Sequence, residues 1–318
     1  MLFRSPDMSR MAAVSKMDVR GDAGGRIEFD AAGAEAGALA WIAENRWVLA
    51  GIWRALRETP VEILHERPVA FESDHGRAAL TLNDGRLLTA RLVVGCDGAN
   101  SWLRSEAGID IRVSPYGHSG VVANFLCERD HGGVAHQWFT GDGVLAYLPL
   151  PERRMSMVWS CADPERLLAL SGDELCRQVA ERGQFTLGQL SLLTPAQAFP
   201  LRLIRPAQVI GTRLVLAGDA AHTIHPLAGQ GVNLGFGDAI LLAKLLAQAD
   251  DPGSRLLLRS YERGRLESVR TMQYTCDALF RLFTHPHPAI GWLRNTGLKF
   301  TNALGPVKRQ LVKEAMGL

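Results

Sequence analysis

The stretch from Arg213 to Asn233 constrains the fold more than any other part of the chain. Leu214 to Ala217 form a short apolar run that is typical of a fully buried strand. Gly218 allows the backbone to turn tightly after this strand. Asp219 then stands just beyond the carboxyl end of the strand, where open α/β sheets bind cofactors. The stretch therefore predicts an α/β sheet with a carboxylate at its ligand-binding edge.

A loop and a helix follow this carboxylate. Pro226 stiffens the loop, and residues 229–231 (Gly-Gln-Gly) begin a helix that we expect to extend to about Ala247. Apolar residues recur along it at helical spacing, at Phe236, Ala239, Ile240, Ala243 and Leu246. The start of a helix offers unpaired backbone N–H groups and a positive dipole end, so it suits a partial negative charge on a ligand. A carboxylate for a ribityl hydroxyl and a helix start for the pyrimidine edge together suit a flavin.

The same residues resemble a known family. Residues 218–222 (Gly-Asp-Ala-Ala-His), Pro226 and residues 229–233 (Gly-Gln-Gly-Val-Asn) resemble the second flavin motif of the aromatic-ring hydroxylases. The longer string 222–235 is most similar to the ubiquinone-biosynthesis branch of that family. The alternative interpretation is a glycine-rich strand-to-helix turn that binds no ligand.

A second motif runs from Val94 to Arg104 and resembles the Asp-Gly motif of the same family. Four residues stand at the family's spacing: Asp97, Gly98, Ser101 and Arg104. The resemblance implies a position near the flavin pyrophosphate and the path of the nicotinamide cofactor. Asp97 could also cap a helix over residues 99–107, and capping is compatible with cofactor binding.

Composition narrows the class of protein. The chain has 318 residues, enough for two domains, and its net charge of +2 gives no argument for nucleic-acid binding. Its 5 cysteines are scattered without a metal-binding spacing, which indicates a reduced, cytoplasmic protein. No apolar run is long enough to span a bilayer, and the N-terminus has no signal-peptide pattern.

The predicted fold class is mixed α/β. The resemblance implies a Rossmann-like FAD-binding domain of the p-hydroxybenzoate-hydroxylase type, discontinuous over residues 1–112 and 206–288. Consecutive strands predicted between Tyr116 and Ser160 indicate an inserted antiparallel substrate-binding sheet domain over residues 113–205, followed by a C-terminal helical tail over residues 289–318. Residues 36–57 are predicted to be one helix, with core positions at Leu39, Ile42, Trp47, Leu49, Ile52, Trp53 and Leu56.

One expected motif is missing. A flavin enzyme of this class normally opens with a strand, a Gly-x-Gly-x-x-Gly turn and a helix that hold the ADP half of FAD. That string does not occur in these 318 residues. We therefore expect the FAD-binding domain to be truncated at its N-terminus, without its first βαβ unit, and to hold FAD poorly.

The resemblance implies an FAD-dependent monooxygenase that uses NAD(P)H and O2 to hydroxylate an aromatic ring. It identifies the cofactor-binding candidates as Asp97, Gly98, Arg104, Gly218, Asp219, Pro226, Gly229, Gln230, Gly231, Val232 and Asn233. Asp219 would fix the ribityl chain, and Asp97 and Arg104 would line the cofactor entrance. No catalytic acid or base is assigned, and Pro226, Gly229 and Gln230 form the loop expected beside the flavin ring.

The remaining polar candidates have structural alternatives. On the substrate side they are Tyr116, His118, His136, Gln137 and Tyr147, each of which could equally be a half-buried hydrogen-bonded residue. His222 and His225 have metal-like spacing, but no carboxylate or cysteine completes a ligand set, so no metal is predicted.

Three functions stay open at this stage. The first is hydroxylation of a polyprenyl phenol or benzoquinol in ubiquinone biosynthesis, the second is hydroxylation of a soluble aromatic, and the third is a flavin-deficient, non-catalytic fragment. The basic and apolar tail could pack on the flavin domain with one face. We expect its other face to make a peripheral contact with the inner membrane or a biosynthetic complex.

Overall fold

The computed structural model describes residues 7–32, 37–141, 143–285 and 287–304. The chain divides into two compact units. The first unit comprises Met1–Glu62, Gly117–Pro200 and Arg281–Leu318, and the second comprises Ile63–Tyr116 and Leu201–Phe280. Within the described ranges, no helix combines the length and the apolar content needed to cross a bilayer.

The described residues form strands and helices in alternating groups. The strands are β1 (Met11–Val14), β2 (Lys16–Arg20), β3 (Arg26–Asp30), β4 (Ala40–Ala43), β5 (Pro68–Ser73), β6 (Ala78–Leu82), β7 (Leu87–Ala90), β8 (Val93–Gly95), β9 (Ile111–Cys127), β10 (Val134–Thr140), β11 (Gly143–Leu150), β12 (Arg154–Cys161), β13 (Leu190–Leu192), β14 (Gln197–Pro206), β15 (Ile210–Gly211) and β16 (Leu214–Leu216). The helices are α1 (Asn45–Arg57), α2 (Trp102–Glu106), α3 (Pro164–Leu168), α4 (Gly172–Arg182), α5 (Gly231–Leu246), α6 (Arg255–Thr284) and α7 (Pro288–Ala303).

A large, mostly antiparallel sheet organises the first unit. Its strand order is β13-β9-β12-β11-β10-β2-β3, and β14 also pairs with β9. Inward-facing side chains of the sheet pack against α4. Fully buried at this contact are Phe125, Leu145, Met155 and Met157 of the sheet and Val179 of α4. The predicted strands between Tyr116 and Ser160 are confirmed.

The N-terminal segment belongs to this sheet unit. β2 pairs in parallel with β10, with Lys16 opposite Val134, and Ser15 N–H donates to Gly133 O at 2.9 Å. The FAD-binding domain predicted from the sequence includes residues 1–112, whereas Met1–Glu62 belong to the same structural unit as the large sheet. This pairing joins residues that are far apart in the chain, so local sequence patterns could not predict it.

The predicted helix over residues 36–57 is wrong in its first half. Residues Ala40–Ala43 form β4, which pairs antiparallel with β1, and α1 begins only at Asn45. The expected core positions are also wrong, because α1 has no buried residue. Several of its apolar side chains are exposed: Trp47, Leu49, Ile52 and Trp53.

The second unit is organised around two parallel strands. β16 pairs in parallel with β8, Leu214 lying opposite Val93. Leu214, Val215 and Leu216 are fully buried, as expected of a strand covered on both faces. Tyr261 of α6 packs beneath them and donates its hydroxyl to Leu216 O at 3.1 Å. A separate meander of β5, β6 and β7 completes the unit.

The C-terminal tail is helical where it is described. α7 ends at Ala303, and Arg294 and Asn295 on its inner side bind Asp22 of the β2–β3 turn. The predicted tail positions Val307, Lys308, Arg309, Leu311, Lys313 and Met316 lie outside the described residues.

Candidate cofactor site

The site begins where β16 ends. Gly218 adopts φ +60°, a left-handed conformation that favours glycine, and a Cβ there would meet no atom within 4 Å. Gly218–Ala220 form one 3-10 turn, and the side chain of Asp219 is exposed on it. In the described part of the chain, no group hydrogen-bonds to the Asp219 carboxylate. The strand end thus presents a carboxylate that is available to a ligand.

The loop after this turn leads directly into α5. Pro226–Ala228 form a second 3-10 turn, which ends at Gly229 with φ +62°. α5 begins at Gly231 after Gln230, and its first turn holds no acidic side chain. Val232 is 64% exposed and Asn233 is exposed as well, so the first turn of α5 lies at the surface. This geometry leaves the positive end of the helix dipole accessible to an anionic or electron-rich group.

A buried carboxylate joins the turn to the helix. Asp238 of α5 has no exposed surface. Its Oδ2 accepts from Gly218 N–H at 2.8 Å and from His222 Nε2 at 2.7 Å, and its Oδ1 accepts from Arg265 Nε at 2.6 Å. Burial raises the pKa of Asp238, but the hydrogen bond and charge of His222 and the hydrogen bonds from Arg265 and Gly218 outweigh it and hold that pKa below its usual value.

The sequence analysis did not predict that Asp238 joins these elements. The available signal was its position four residues from both Leu234 and Leu242, which are the buried apolar residues of α5. The predicted apolar positions lie elsewhere: Phe236, Ala239, Ile240 and Ala243 are exposed, and Leu246 is half-buried. The helix was therefore predicted correctly, but its inward face was not.

The Asp-Gly motif lies at the end of β8. Asp97 accepts hydrogen bonds from Ser101 Oγ at 2.6 Å and from Leu103 N–H at 3.0 Å, and Ser101 caps α2. The predicted N-cap is therefore wrong, because Ser101 caps a helix that begins only at Trp102, and Asp97 adds an acceptor for one amide of the first turn. Gly98 adopts φ +84°, and a Cβ there would project into open space.

Arg104 ties the two motifs together. It is almost fully buried, and its guanidinium donates to Ala220 O and to Ala99 O, both at 2.9 Å. Burial lowers the pKa of this guanidinium. Arg104 thus lies behind the two turns, and any effect it has on a cofactor passes through the backbone that it holds.

Both histidines of the loop contact other residues of the protein. His222 bonds Asp238, as described above. His225 is 1% exposed and lies between the rings of Tyr116 and Phe280, with centroid distances of 4.7 and 4.6 Å. This aromatic contact packs the flavin-loop segment within the second unit.

The other substrate-side candidates lie on the large sheet of the first unit. Tyr147 is buried and donates its hydroxyl to Val179 O at 2.5 Å, so its structural interpretation is confirmed. His136 and Gln137 are buried on β10, and His136 Nδ1 lies 3.4 Å from Asp18 Oδ2. His118 Nδ1 lies 3.3 Å from Ser160 Oγ.

These residues fit the ribityl and ring half of FAD. Gly98, Gly218 and Gly229 all leave open space where a side chain would otherwise stand, beside an exposed carboxylate and a free helix start. Asp219 provides a hydrogen-bond acceptor for a sugar-like hydroxyl, and the amides of Val232 and Asn233 provide donors. The parallel strand pair, the two glycine turns and the helix start define a flavin-binding protein of the aromatic-hydroxylase fold.

Comparison with known proteins agrees with this class. The FAD binding domain family matches residues 52–274. The 3-demethoxyubiquinol 3-hydroxylase of Escherichia coli is 36% identical over 92% of this chain and 76% of its own length. The ubiquinone hydroxylase UbiL of Rhodospirillum rubrum is 36% identical over 93% of this chain and 71% of its own. The chain belongs to the family of FAD-dependent ubiquinone-biosynthesis hydroxylases.

Solved structures agree on the fold. The p-nitrophenol 4-monooxygenase PnpA of Pseudomonas putida has a TM-score of 0.79 at 21% identity, over 96% of this chain and 82% of its own. HpxO of Klebsiella pneumoniae, complexed with FAD and uric acid, has a TM-score of 0.77 at 17% identity, over 98% and 81%. The predicted family, the mixed α/β fold and the assignment as a flavoprotein monooxygenase are confirmed.

Proposed function

We propose that the chain hydroxylates the aromatic ring of a polyprenylated phenol or benzoquinol intermediate of ubiquinone biosynthesis. One oxygen atom of O2 enters the ring, the other leaves as water, and NAD(P)H supplies the two electrons. The observation that carries the proposal is the exposed Asp219 beside the open start of α5, in a chain 36% identical to two ubiquinone-pathway hydroxylases. When bound, FAD supplies the redox and oxygen chemistry.

The residues of this chain bind and orient the cofactor. Asp219 accepts a hydrogen bond from a ribityl hydroxyl. The amides of Val232 and Asn233, reinforced by the dipole of α5, stabilise negative charge at the pyrimidine edge of the ring. Pro226, Gly229 and Gln230 shape the wall beside the ring, and Gly218 and Gly231 allow close approach of the backbone. Asp97, Gly98 and Arg104 hold the adjacent turn in position.

A hydroxylation assay tests this function. The protein is incubated with excess FAD, NADH or NADPH, isotopically labelled O2 and a short-chain prenylated phenol, and products are analysed by mass spectrometry. We expect a product heavier by one labelled oxygen atom, and little of it with the same phenol lacking the prenyl chain. Equal turnover of the unprenylated phenol would favour the soluble-aromatic alternative. Flavin binding without any substrate-dependent product would contradict the proposal.

We further propose that α7 makes a peripheral contact with the membrane that holds such a substrate. Trp292, Leu293 and Phe300 are exposed by 58–68% on its outer face, whereas Arg294 and Asn295 on the opposite face are engaged with Asp22. An exposed face with Trp and Phe is typical of helices that lie on a bilayer surface. A contact with a biosynthetic complex would use the same face.

Liposome flotation tests the membrane contact. The double variant Trp292→Ser, Phe300→Ser should float with anionic liposomes at least about threefold less than the wild type, since it loses two interfacial anchors. Trp53→Ser, a change at a 46% exposed tryptophan on α1, is the control and should float like the wild type. If both variants float like the wild type, this face does not bind lipid.

A further inference from the structure

The cofactor site depends on a charged group that the proposed function does not use. Asp238 is fully buried under the turn that carries Asp219, and every contact of its carboxylate is to a different segment. Gly218 belongs to the strand end, His222 to the loop and Arg265 to α6. A buried carboxylate costs several kcal/mol unless it is fully paired, so this network is informative about what the fold must hold in place.

The hydrogen bond from Gly218 is the most direct link to the site. Gly218 immediately precedes Asp219, and its N–H points to Asp238 on α5. A Cβ on Gly235 would stand 3.5 Å from the Cα of Gly218, so turn and helix are in close contact there. One hydrogen bond and this close packing therefore tie the turn that carries Asp219 to α5.

Arg265 fixes the helix side of the same contact. Besides its bond to Asp238, its Nη2 donates to Leu234 O at 2.9 Å, in the second turn of α5. A Cβ on Gly237 would stand 2.9 Å from the same guanidinium nitrogen, so the residue at 237 must be small for Arg265 to reach. The guanidinium thus holds both the carboxylate and the helix backbone from which Val232 and Asn233 extend.

We propose that Asp238 is a positioning residue, whose paired carboxylate holds Asp219 and the first turn of α5 at the separation that a flavin requires. Asp238 acts on the cofactor through Asp219 and the helix amides and does not touch it. The role rests on the proposed function, because it concerns the same cofactor site.

A double-mutant cycle on FAD affinity tests this role. Asp238→Asn keeps the size of the side chain but removes its charge, and we expect the Kd for FAD to rise about tenfold, the effect of losing one charge-assisted contact. Asp219→Ala should raise it similarly. Because both changes act on one contact, the double variant should bind little worse than either single variant. Additive losses would overturn the proposal.

Asp251→Asn is the matched control. Asp251 also pairs with an arginine in the second unit, Arg213, through two bonds of 2.8 and 2.9 Å, but it contacts neither turn nor α5 start. This variant is expected to lose stability without a change in FAD affinity. Equal losses of FAD affinity in Asp238→Asn and Asp251→Asn would show that Asp238 acts only through general stability, and would overturn the proposal.

Hydrogen–deuterium exchange separates this proposal from the proposed function. In cofactor-free protein, the Gly218 amide should exchange at least about tenfold faster in Asp238→Asn than in the wild type or Asp251→Asn. Unchanged exchange in Asp238→Asn would overturn the proposed anchor. Faster exchange in Asp238→Asn, together with a wild type that binds no FAD, would contradict only the proposed function. If Asp238→Asn does not fold, Arg265→Lys replaces it, since it keeps the charge but cannot bond Asp238 and Leu234 together.

Discussion

Two carboxylates stand at the ends of two neighbouring parallel strands, yet they have different tasks. Asp97 is committed to Ser101 and to the backbone of α2, so its charge mainly stabilises a helix start. Asp219 is exposed and bonds no group in the described ranges, so its charge is available to a ligand. The sequence predicted both positions because each follows a short apolar strand and precedes a glycine or a small residue. It could not predict their different partners, which depend on side-chain direction.

A third carboxylate, Asp18, should make the stability of the fold depend on pH. It is buried on β2, and it faces Arg20 and Arg26, with Glu28 beside Arg26 and His136 on β10. Burial raises the pKa of Asp18, but hydrogen bonds from Arg26 and Arg20 outweigh it and lower that pKa to about 2. A carboxyl whose pKa is lower in the folded state stabilises the fold above its unfolded pKa, and this stability is lost as pH falls toward the folded pKa.

Both the wild type and Asp18→Asn should become less stable as the pH falls from about 4 to about 2. Over this range we expect the unfolding free energy of the wild type to fall by about 1–2 kcal/mol more than that of Asp18→Asn. The lower part of this range reflects solvent screening of the half-exposed Arg26. Urea unfolding at a series of pH values measures the difference. Asp30→Asn, which removes an exposed salt bridge to Lys16 at 3.5 Å on the neighbouring strand, is the control. Parallel stability curves for the wild type and Asp18→Asn would contradict the expectation.

At the scale of elements, periodicity predicted where helices form better than which side they bury. The helix after Gly229 was predicted to within a few residues, because glycines mark its start and apolar residues recur along it. Its buried face instead includes Leu234, Asp238 and Leu242, and the charged member of that face is satisfied by His222 and Arg265. A pattern of apolar residues cannot reveal a buried ion pair whose partners come from other elements.

The two faces of α5 differ in their expected sensitivity to mutation. Leu242 is 6% exposed and packs with Val215, Leu258 and Tyr261, whereas Ile240 is 70% exposed. Leu242→Ala should lower the unfolding free energy by about 2–4 kcal/mol because it leaves a cavity, and Ile240→Ala should change it by less than about 0.5 kcal/mol. Denaturant unfolding of the two variants measures both values. A loss from Ile240→Ala as large as that from Leu242→Ala would mean that another surface covers this face in solution.

At the scale of the whole molecule, sequence order and spatial order diverge. The first unit draws on three separate segments and the second on two. The sequence indicated an inserted sheet because several strands follow one another between Tyr116 and Ser160. It did not indicate that β2 and β3 extend the sheet, since β2 pairs with a strand more than a hundred residues away. Local patterns predict elements, whereas such long-range pairings depend on the assembled sheet.

The groups available for binding also determine how much the affinity of the whole chain should differ between flavins. The residues proposed to bind a flavin lie around Asp219, Gly229 and the start of α5, and the proposed function assigns them to the ribityl chain and the ring. The ADP half of FAD is normally held by a Gly-x-Gly-x-x-Gly turn, and that string does not occur in these 318 residues. We expect the ADP half to add little affinity to a chain in which that string does not occur.

We therefore expect the 318-residue protein to be purified with substoichiometric flavin and to bind FAD, FMN and riboflavin with Kd values within about tenfold of one another. Titration of flavin fluorescence measures all three affinities under one condition. Asp219→Ala should weaken binding of all three flavins equally, because each carries the ribityl hydroxyls, and Asp251→Asn should weaken none. An affinity for FAD more than about a hundredfold above that for riboflavin would require an ADP-binding site elsewhere in the chain.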